Sequence, residues 1–200
     1  DVSQWITKGN ETNLSGYILM DGDISKDQIS TLDMNVEVDE SILFEREPSS
    51  ISGGISYKNY QLDITNPLTL TIGPSIIEVK GSSDFSSKSL DLNLSLTDAS
   101  TFLINNFWTD SLSSGRATGS MYLNGPFDSL GINADLIIDQ FGYNNISLKS
   151  FEFIGNIQNL NNFSEGAFKL KFGKGYWNDY GFESGTGEFL LLDTLVEVSS

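Results

Sequence analysis

The hydrophobic positions of this chain recur with a period of two. Leu90, Leu92, Leu94 and Leu96 alternate with Asp91, Asn93 and Ser95, the cleanest stripe in the sequence. Between Gly115 and Ile138 two further runs flank Gly125-Pro126. In the first, Ala117, Gly119, Met121 and Leu123 share one face, and Thr118, Ser120, Tyr122 and Asn124 share the other. In the second, Leu130, Ile132, Ala134, Leu136 and Ile138 oppose Gly131, Asn133, Asp135 and Asp139. One greasy and one polar side marks a half-buried strand, and a short turn between two such runs predicts an antiparallel hairpin or meander.

The rest of the chain repeats this style. Leu32, Met34, Val36 and Val38 form a stripe, and Leu62 and Ile64 lead into Leu68, Leu70 and Ile72 across Asn66-Pro67. Ile77 and Val79 follow Gly73-Pro74; Phe151, Phe153 and Ile157, then Phe168, Leu170 and Phe172, then Phe189 and Leu191 complete the series. The parity slips between Leu148 and Phe151, which predicts a bulge or bend there. Turn signals at Gly9, Asp21-Gly22, Ser52-Gly53-Gly54, Gly81-Ser82-Ser83 and Gly173-Lys174-Gly175 divide the runs. Strand-like units thus arrive roughly every 8–14 residues, the spacing of an all-β architecture. The one exception is Thr97–Trp108, where Asp98 is placed to cap a short helix carrying Phe102, Leu103 and Phe107 on one side. A Ser-rich boundary follows, giving sheet sections over 1–113 and 114–200 that are separate or continuous. Strands greasy on one side only are satisfied by a face-to-face sandwich, or by a folded-over sheet with an open apolar groove; periodicity alone does not separate the two.

Composition narrows the chemistry. The 200 residues carry 27 acidic and 11 basic side chains, a formal net charge of -16, with no cysteine and no histidine. Such a surface repels phosphate backbones, so no nucleic-acid partner is expected. Without cysteine there is no disulfide, thiolate metal site or thiol nucleophile; this is compatible with a bacterial periplasm. Without histidine the commonest general base and metal ligand are missing, along with every Ser-His-Asp or Cys-His triad. A two-carboxylate glycosidase would remain conceivable, but Asp135, Asp139, Glu152 and Glu165 mostly fall on polar strand faces, where solvated acids belong. No enzyme activity, metal or cofactor is expected. No apolar run approaches the length of a membrane-spanning helix, so the stretch reads as a soluble piece whose leader or anchor, if any, lies outside it.

The remaining motifs read as structure. Asp21–Asp27 begins like a calcium loop, but Lys26 and Leu32 stand where an EF-hand needs Gly and Glu, so a polar turn is expected. Phe172-Gly173-Lys174-Gly175 lacks the spacing of a phosphate-binding loop and reads as a hairpin turn. Trp177 with Tyr176 and Tyr180 forms the best aromatic cluster; capping of a sheet edge or end is the plainer reading, and a sugar-stacking platform the sharper one. Sequons at Asn10, Asn13, Asn93, Asn145 and Asn162 are expected by chance in a chain this rich in Asn and Ser.

A leucine-alternating strand (90–96), a short helix-like piece, a Ser-Gly-x-Ala-x-Gly strand beginning at Ser114, a Gly-Pro turn and a Leu-x-Ile-x-Ala-x-Leu strand follow one another over Leu90–Gly155. This order resembles the C-terminal region of the TamB/AsmA-like group of bacterial envelope proteins. The resemblance implies an elongated, mostly antiparallel, taco-like sheet, and a section of a periplasm-spanning protein whose apolar groove conducts phospholipid between inner and outer membranes without covalent chemistry. It also implies an outer-membrane barrel protein as a possible assembly partner. The groove would be lined by Leu90, Leu92, Leu94, Leu96, Met121, Leu123, Leu130, Ile132, Leu136, Ile138, Phe151 and Phe153, and would take acyl chains, since each exposed CH₂ costs about 0.8 kcal/mol. The same stripes would equally make an ordinary sandwich core. The alternatives are a scaffold offering a sheet edge to nascent barrel strands, and a secreted carbohydrate-binding or adhesive sandwich using Trp177 and Tyr176.

Overall fold

The computed structural model describes residues 15–25, 28–42, 48–100, 112–160, 165–192 and 195–199. These residues form fourteen strands of one sheet: β1 (Gly16–Ser25), β2 (Gln28–Ile42), β3 (Pro48–Lys58), β4 (Gln61–Ile72), β5 (Ser75–Asp84), β6 (Ser89–Ser100), β7 (Leu112–Pro126), β8 (Gly131–Tyr143), β9 (Ile146–Ile157), β10 (Glu165–Phe172), β11 (Gly175–Trp177), β12 (Tyr180–Phe182), β13 (Gly185–Leu192) and β14 (Leu195–Ser199). The strand order follows the chain from β1 to β10 and then runs to β13 and β14, while the β11–β12 hairpin leaves this path and pairs with β9. Every pairing is antiparallel. The all-β expectation holds.

The sheet is open. β1 and β14 lie at opposite ends of the order, and the described residues contain no second sheet and no helix to cover either face. The face-to-face sandwich is therefore corrected to a single open sheet: among the described residues the stripes meet no facing sheet. Among the described residues buried apolar side chains are few: Val38, Ile72, Leu96, Ala99, Ala117, Ala134 and Leu148. They form small clusters among neighbours on the same face. Leu96, Ala99 and Ala117 pack with Ile77, Met121, Leu136 and Ile138, and Ile72 with Ile51, Leu70 and Ile77.

Register shifts punctuate the ladders in β1/β2, β2/β3, β3/β4, β4/β5, β6/β7 and β7/β8. Such bulges bend a strand and increase its twist, which curves a wide sheet. The parity slip between Leu148 and Phe151 has its counterpart across the ladder. Phe141 lies opposite Leu148 and Ile138 opposite Phe151, with Gln140 between them at φ 54°. Two neighbouring strands therefore change parity together and keep both apolar runs on one side.

The short helix expected from 98 to 108 is corrected at its start. Asp98, Ala99 and Ser100 belong to β6, and residues 101–111 lie outside the described residues. Instead of capping a helix, Asp98 sits at φ 48° in the β6/β7 irregularity. Its N–H donates to Thr118 Oγ1 (3.1 Å), its carbonyl accepts from Ser75 Oγ (2.8 Å), and its carboxylate pairs with Arg116. Three expected turns are strand interior as well. Asp21-Gly22 lies within β1, opposite Asp33 and Leu32; Gly53-Gly54 lies within β3; and Gly81 lies within β5. In each, the glycine admits a close neighbour: a Cβ would meet the carbonyl oxygen of Thr31 at 2.5 Å at Gly22, of Pro67 at 2.7 Å at Gly53 and of Asp91 at 2.0 Å at Gly81.

The β5–β6 turn carries its own polar lock. Asp84 Oδ1 accepts from Ser86 N (2.7 Å), Ser86 Oγ (2.6 Å) and Ser87 N (3.1 Å), an Asx-type turn. Hydrogen bonds to the charged form, from the Ser86 hydroxyl first, bring its carboxyl from 3.8 down to about 2. The folded value is depressed, so this contribution to stability is present above 3.8 and is lost as pH falls through about 2. Carbon-detected NMR titration should place Asp84 at the bottom of the carboxylate range, and Ser86→Ala should move it upward.

Candidate functional site: the apolar face of the sheet

Residues directly opposite one another in antiparallel strands share a face. The register therefore shows whether the sequence stripes join. They do. Val38, Ile51, Leu70, Ile77, Leu96, Gly119, Leu136, Phe153 and Leu170 form one unbroken cross-strand row from β2 to β10. Two residues along the strands, Leu68, Val79, Leu94, Met121, Ala134, Gly155, Phe168 and Phe189 form a second row. A third carries Gly81, Leu92, Leu123, Ile132, Ile157, Gly166 and Leu191.

The row of the opposite face beside the first reads Glu37, Ser52, Thr69, Glu78, Ser95, Ser120, Asp135, Ile154, Lys169 and Glu188. It is polar or charged except for Ile154. Lys169–Glu188 (3.0 Å), Lys171–Glu152 (2.9 Å) and Lys80–Glu78 (2.6 Å) are ion pairs on that side. All are solvated, worth about 0–1 kcal/mol each. Of the four acids weighed for acid/base chemistry, Glu152 is held by Lys171, while Asp135, Asp139 and Glu165 stand exposed.

Each groove residue expected from the sequence has a place in this frame. Leu96, Leu136 and Phe153 share the first row, Leu94 and Met121 the second, and Leu92, Leu123 and Ile132 the third. Ile138 and Phe151 pair directly, with Phe172 next in line. Leu90 lies opposite Ser83 and Gly125 near the strand ends, and Leu130 sits in the turn before β8, where its carbonyl accepts from Leu160 N (2.8 Å). Most are half-buried rather than enclosed. Two features of the face go beyond the stripes. Besides Gly119 and Ala134, which the stripes include, the small residues Gly81, Gly155 and Gly166 interrupt the rows, and a ladder of stacked rings crosses β9, β10 and β13. Phe153–Phe168 centroids are 5.6 Å apart and Phe168–Phe189 4.9 Å, worth about 0.5–1.5 kcal/mol per pair.

At the turn end of β2–β5 the face deepens into a trough of about 540 Å³, lined by Leu32, Met34, Ile55, Tyr57, Tyr60, Leu62 and Phe85. That is the size of a small-molecule site, with an almost wholly apolar wall. At the opposite strand ends the β11–β12 hairpin continues the same face. A Cβ on Gly175 would meet Leu148 Cδ2 at 2.8 Å and Phe182 Cε2 at 3.0 Å, so both side chains stand on this side. The expected aromatic cluster divides there. Trp177 lies opposite Tyr180 and Ile146, whereas Tyr176 lies opposite Gly181 and projects the other way. Both rings of the apolar side stand at this end of the sheet and are largely open, Trp177 62% exposed and Tyr180 78%.

Among the described residues no group of acidic side chains is arranged to hold a metal ion, and no helix is long and apolar enough to cross a membrane. What the site offers is a wide, one-sided apolar surface without positioned reactive groups. The TamB N-terminal domain model matches residues 4–189. This places the match in the N-terminal domain, correcting the C-terminal region suggested by the strand pattern. That pattern is repetitive, and so carries the family better than the position within it. No curated protein and no solved structure matches the chain. Its open antiparallel sheet with one apolar face, and a family match over nearly its whole length, make the chain a member of the TamB family of bacterial envelope proteins.

Proposed function

We propose that this chain is a section of a periplasmic conduit whose apolar sheet face carries phospholipid acyl chains between membranes, with no covalent chemistry. The observation that carries this reading is the continuity of the apolar row from Val38 to Leu170 on a sheet with no covering layer among the described residues. A mobile acyl chain needs an uninterrupted apolar track, and each methylene moved from water onto it gains about 0.8 kcal/mol. Leu92, Leu94, Leu96, Met121, Leu123, Ile132, Leu136, Ile138, Phe151 and Phe153 form the wall in this reading, with Leu90 and Leu130 at its margin. The sections 1–113 and 114–200 act as one track, since β6 and β7 pair across their boundary. The acidic opposite face keeps the assembly in water and repels anionic headgroups from the wrong side. Native mass spectrometry of the chain purified in mild detergent is expected to find bound diacyl phospholipid. A lipid-free chain that also takes up none from vesicles overturns the reading.

A second reading, a strand-pairing scaffold for an outer-membrane barrel partner, draws on β1. This strand ends the order among the described residues and exposes Tyr17, Ile18, Leu19 and Met20 by 51–63%. An edge of this kind offers backbone groups and apolar side chains to an added strand. Site-specific cross-linking separates the two: protein adducts at the β1 edge favour the scaffold, and lipid adducts on the apolar face favour the conduit.

A further inference from the structure

The apolar face is not uniform along the strands. Its middle rows hold Leu, Ile, Val, Met, Phe, Ala and Gly, side chains without a polar atom. The aromatic side chains that carry one stand on this face at the strand ends. Tyr57 and Tyr60 line the trough at one end, where Tyr57 and Phe85 centroids are 6.3 Å apart and Phe85 and Phe127 6.2 Å. Trp177 and Tyr180 stand at the other end, with Phe172 and Phe182 in edge contact (5.5 Å) joining the hairpin to the middle rows. Tyr60, Trp177 and Tyr180 are among the most exposed large side chains of the described residues.

Lysines stand at the same ends, with Asp84 and Asp128 at one and Asp179 and Glu183 at the other. Lys88 lies between Phe85 and β6, its carbonyl accepting from the Phe127 N–H (2.8 Å), and Lys58 follows Tyr57 at the end of β3 on the polar side. Lys149 and Lys174 are joined backbone to backbone (2.8 Å) beside the hairpin, where Lys174 also pairs with Glu183 (3.2 Å). Indole and phenol rings with one wet and one apolar end collect at the boundary between acyl chains and headgroups, and lysine beside them suits a phosphate.

We propose that Tyr57 with Tyr60, and Trp177 with Tyr180, are two lips of the apolar face that seat the glycerol-ester region of a diacyl phospholipid, its phosphate outward toward the strand-end lysines and its chains inward along the rows. The lips rest on the lipid-conduit reading above. From Ile146, opposite Trp177, to Phe153 in the first row is about 23 Å of strand, so an acyl chain of about 15 Å seated at this lip lies between the hairpin and that row.

Trp177 is its own probe. In the full chain carrying Trp5→Phe and Trp108→Phe, Trp177 is the remaining indole. Phosphatidylglycerol brominated on the acyl carbons nearest the ester is expected to quench its fluorescence several-fold more than the same lipid brominated near the methyl end. In a companion chain that also carries Trp177→Phe and Leu94→Trp, the order is expected to reverse. Lipid content is measured in parallel by mass spectrometry. Bound lipid with equal quenching at Trp177, no quenching, or stronger quenching from the methyl end overturns the lips and leaves the conduit standing. No bound lipid in any chain, the parent included, overturns both.

Discussion

Leu94→Asp is expected to cut the phospholipid that co-purifies with the chain at least about tenfold while leaving the protein folded. Leu94 lies in the second row, between Val79 and Met121, and is half-buried. An unpaired carboxylate pressed against an acyl chain costs several kcal/mol, and about 1.4 kcal/mol already gives tenfold in affinity. Stability responds less. Without lipid that position borders solvent, so the new charge stays hydrated and the fold loses about 1–2 kcal/mol of apolar contact. Leu136→Glu, one row away, should act in the same way. Circular dichroism checks the fold, and extraction with mass spectrometry checks the lipid. The paired control is Ser95→Asp, the next residue along β6 but on the polar face, which should change neither. A Leu94→Asp chain that keeps its lipid would remove the apolar rows from the binding surface.

Gly119→Ala is expected to have the largest effect on stability. Gly119 stands in the first row between Leu96 and Leu136 at φ 142°, where side-chain-bearing residues are strained. A Cβ there would stand 2.0 Å from the Asp135 carbonyl oxygen, and backbone cannot yield as a side-chain tip can. The cost is about 3 kcal/mol from strain and clash together, which for a domain of this size lowers Tm by about 6–12 °C. Gly187→Ala is the contrast, because its nearest obstacle is the edge of the Phe189 ring at 3.0 Å, which can turn. It should cost under about 1 kcal/mol. Equal melting points for the two variants would show that the β7–β8 ladder does not depend on the close approach at Gly119.

These glycines also show where sequence reasoning reached its limit. The stripes were legible because a half-buried strand must alternate, and Leu90–Leu96 or Leu130–Ile138 leave no other reading of their period. A glycine on the apolar face erases the stripe at its own position. Gly53 and Gly81 therefore carry the signal of a turn although they lie inside β3 and β5, where a Cβ would stand 2.7 Å from the Pro67 carbonyl oxygen and 2.0 Å from that of Asp91. Asp21-Gly22 misled in the same way: two acids and a glycine mimic a loop, yet β1 runs through them because Leu32 lies opposite Gly22. Asp98 has the chemistry of a helix cap, but its carboxylate is taken by Arg116 on the next strand, a partner that local sequence does not announce. The joining of stripes into rows was beyond reach for a related reason. It depends on register between strands, which bulges shift by single residues without a mark in the sequence; the parity slip between Leu148 and Phe151 is visible, yet the ladder there keeps its register. The division of Tyr176 from Trp177 follows from alternation alone once both stand on one short strand.

The central claim is that the apolar face, rather than the sheet edge or the polar face, is the binding surface. Photo-cross-linking from p-benzoylphenylalanine placed singly at Leu94, Leu136, Ser95, Asp135 and Met20 in the full chain, expressed in a bacterial envelope, tests it most directly. Lipid adducts are expected at Leu94 and Leu136, and none at Ser95 or Asp135. Protein adducts at Met20 with no lipid at Leu94 or Leu136 would contradict the account.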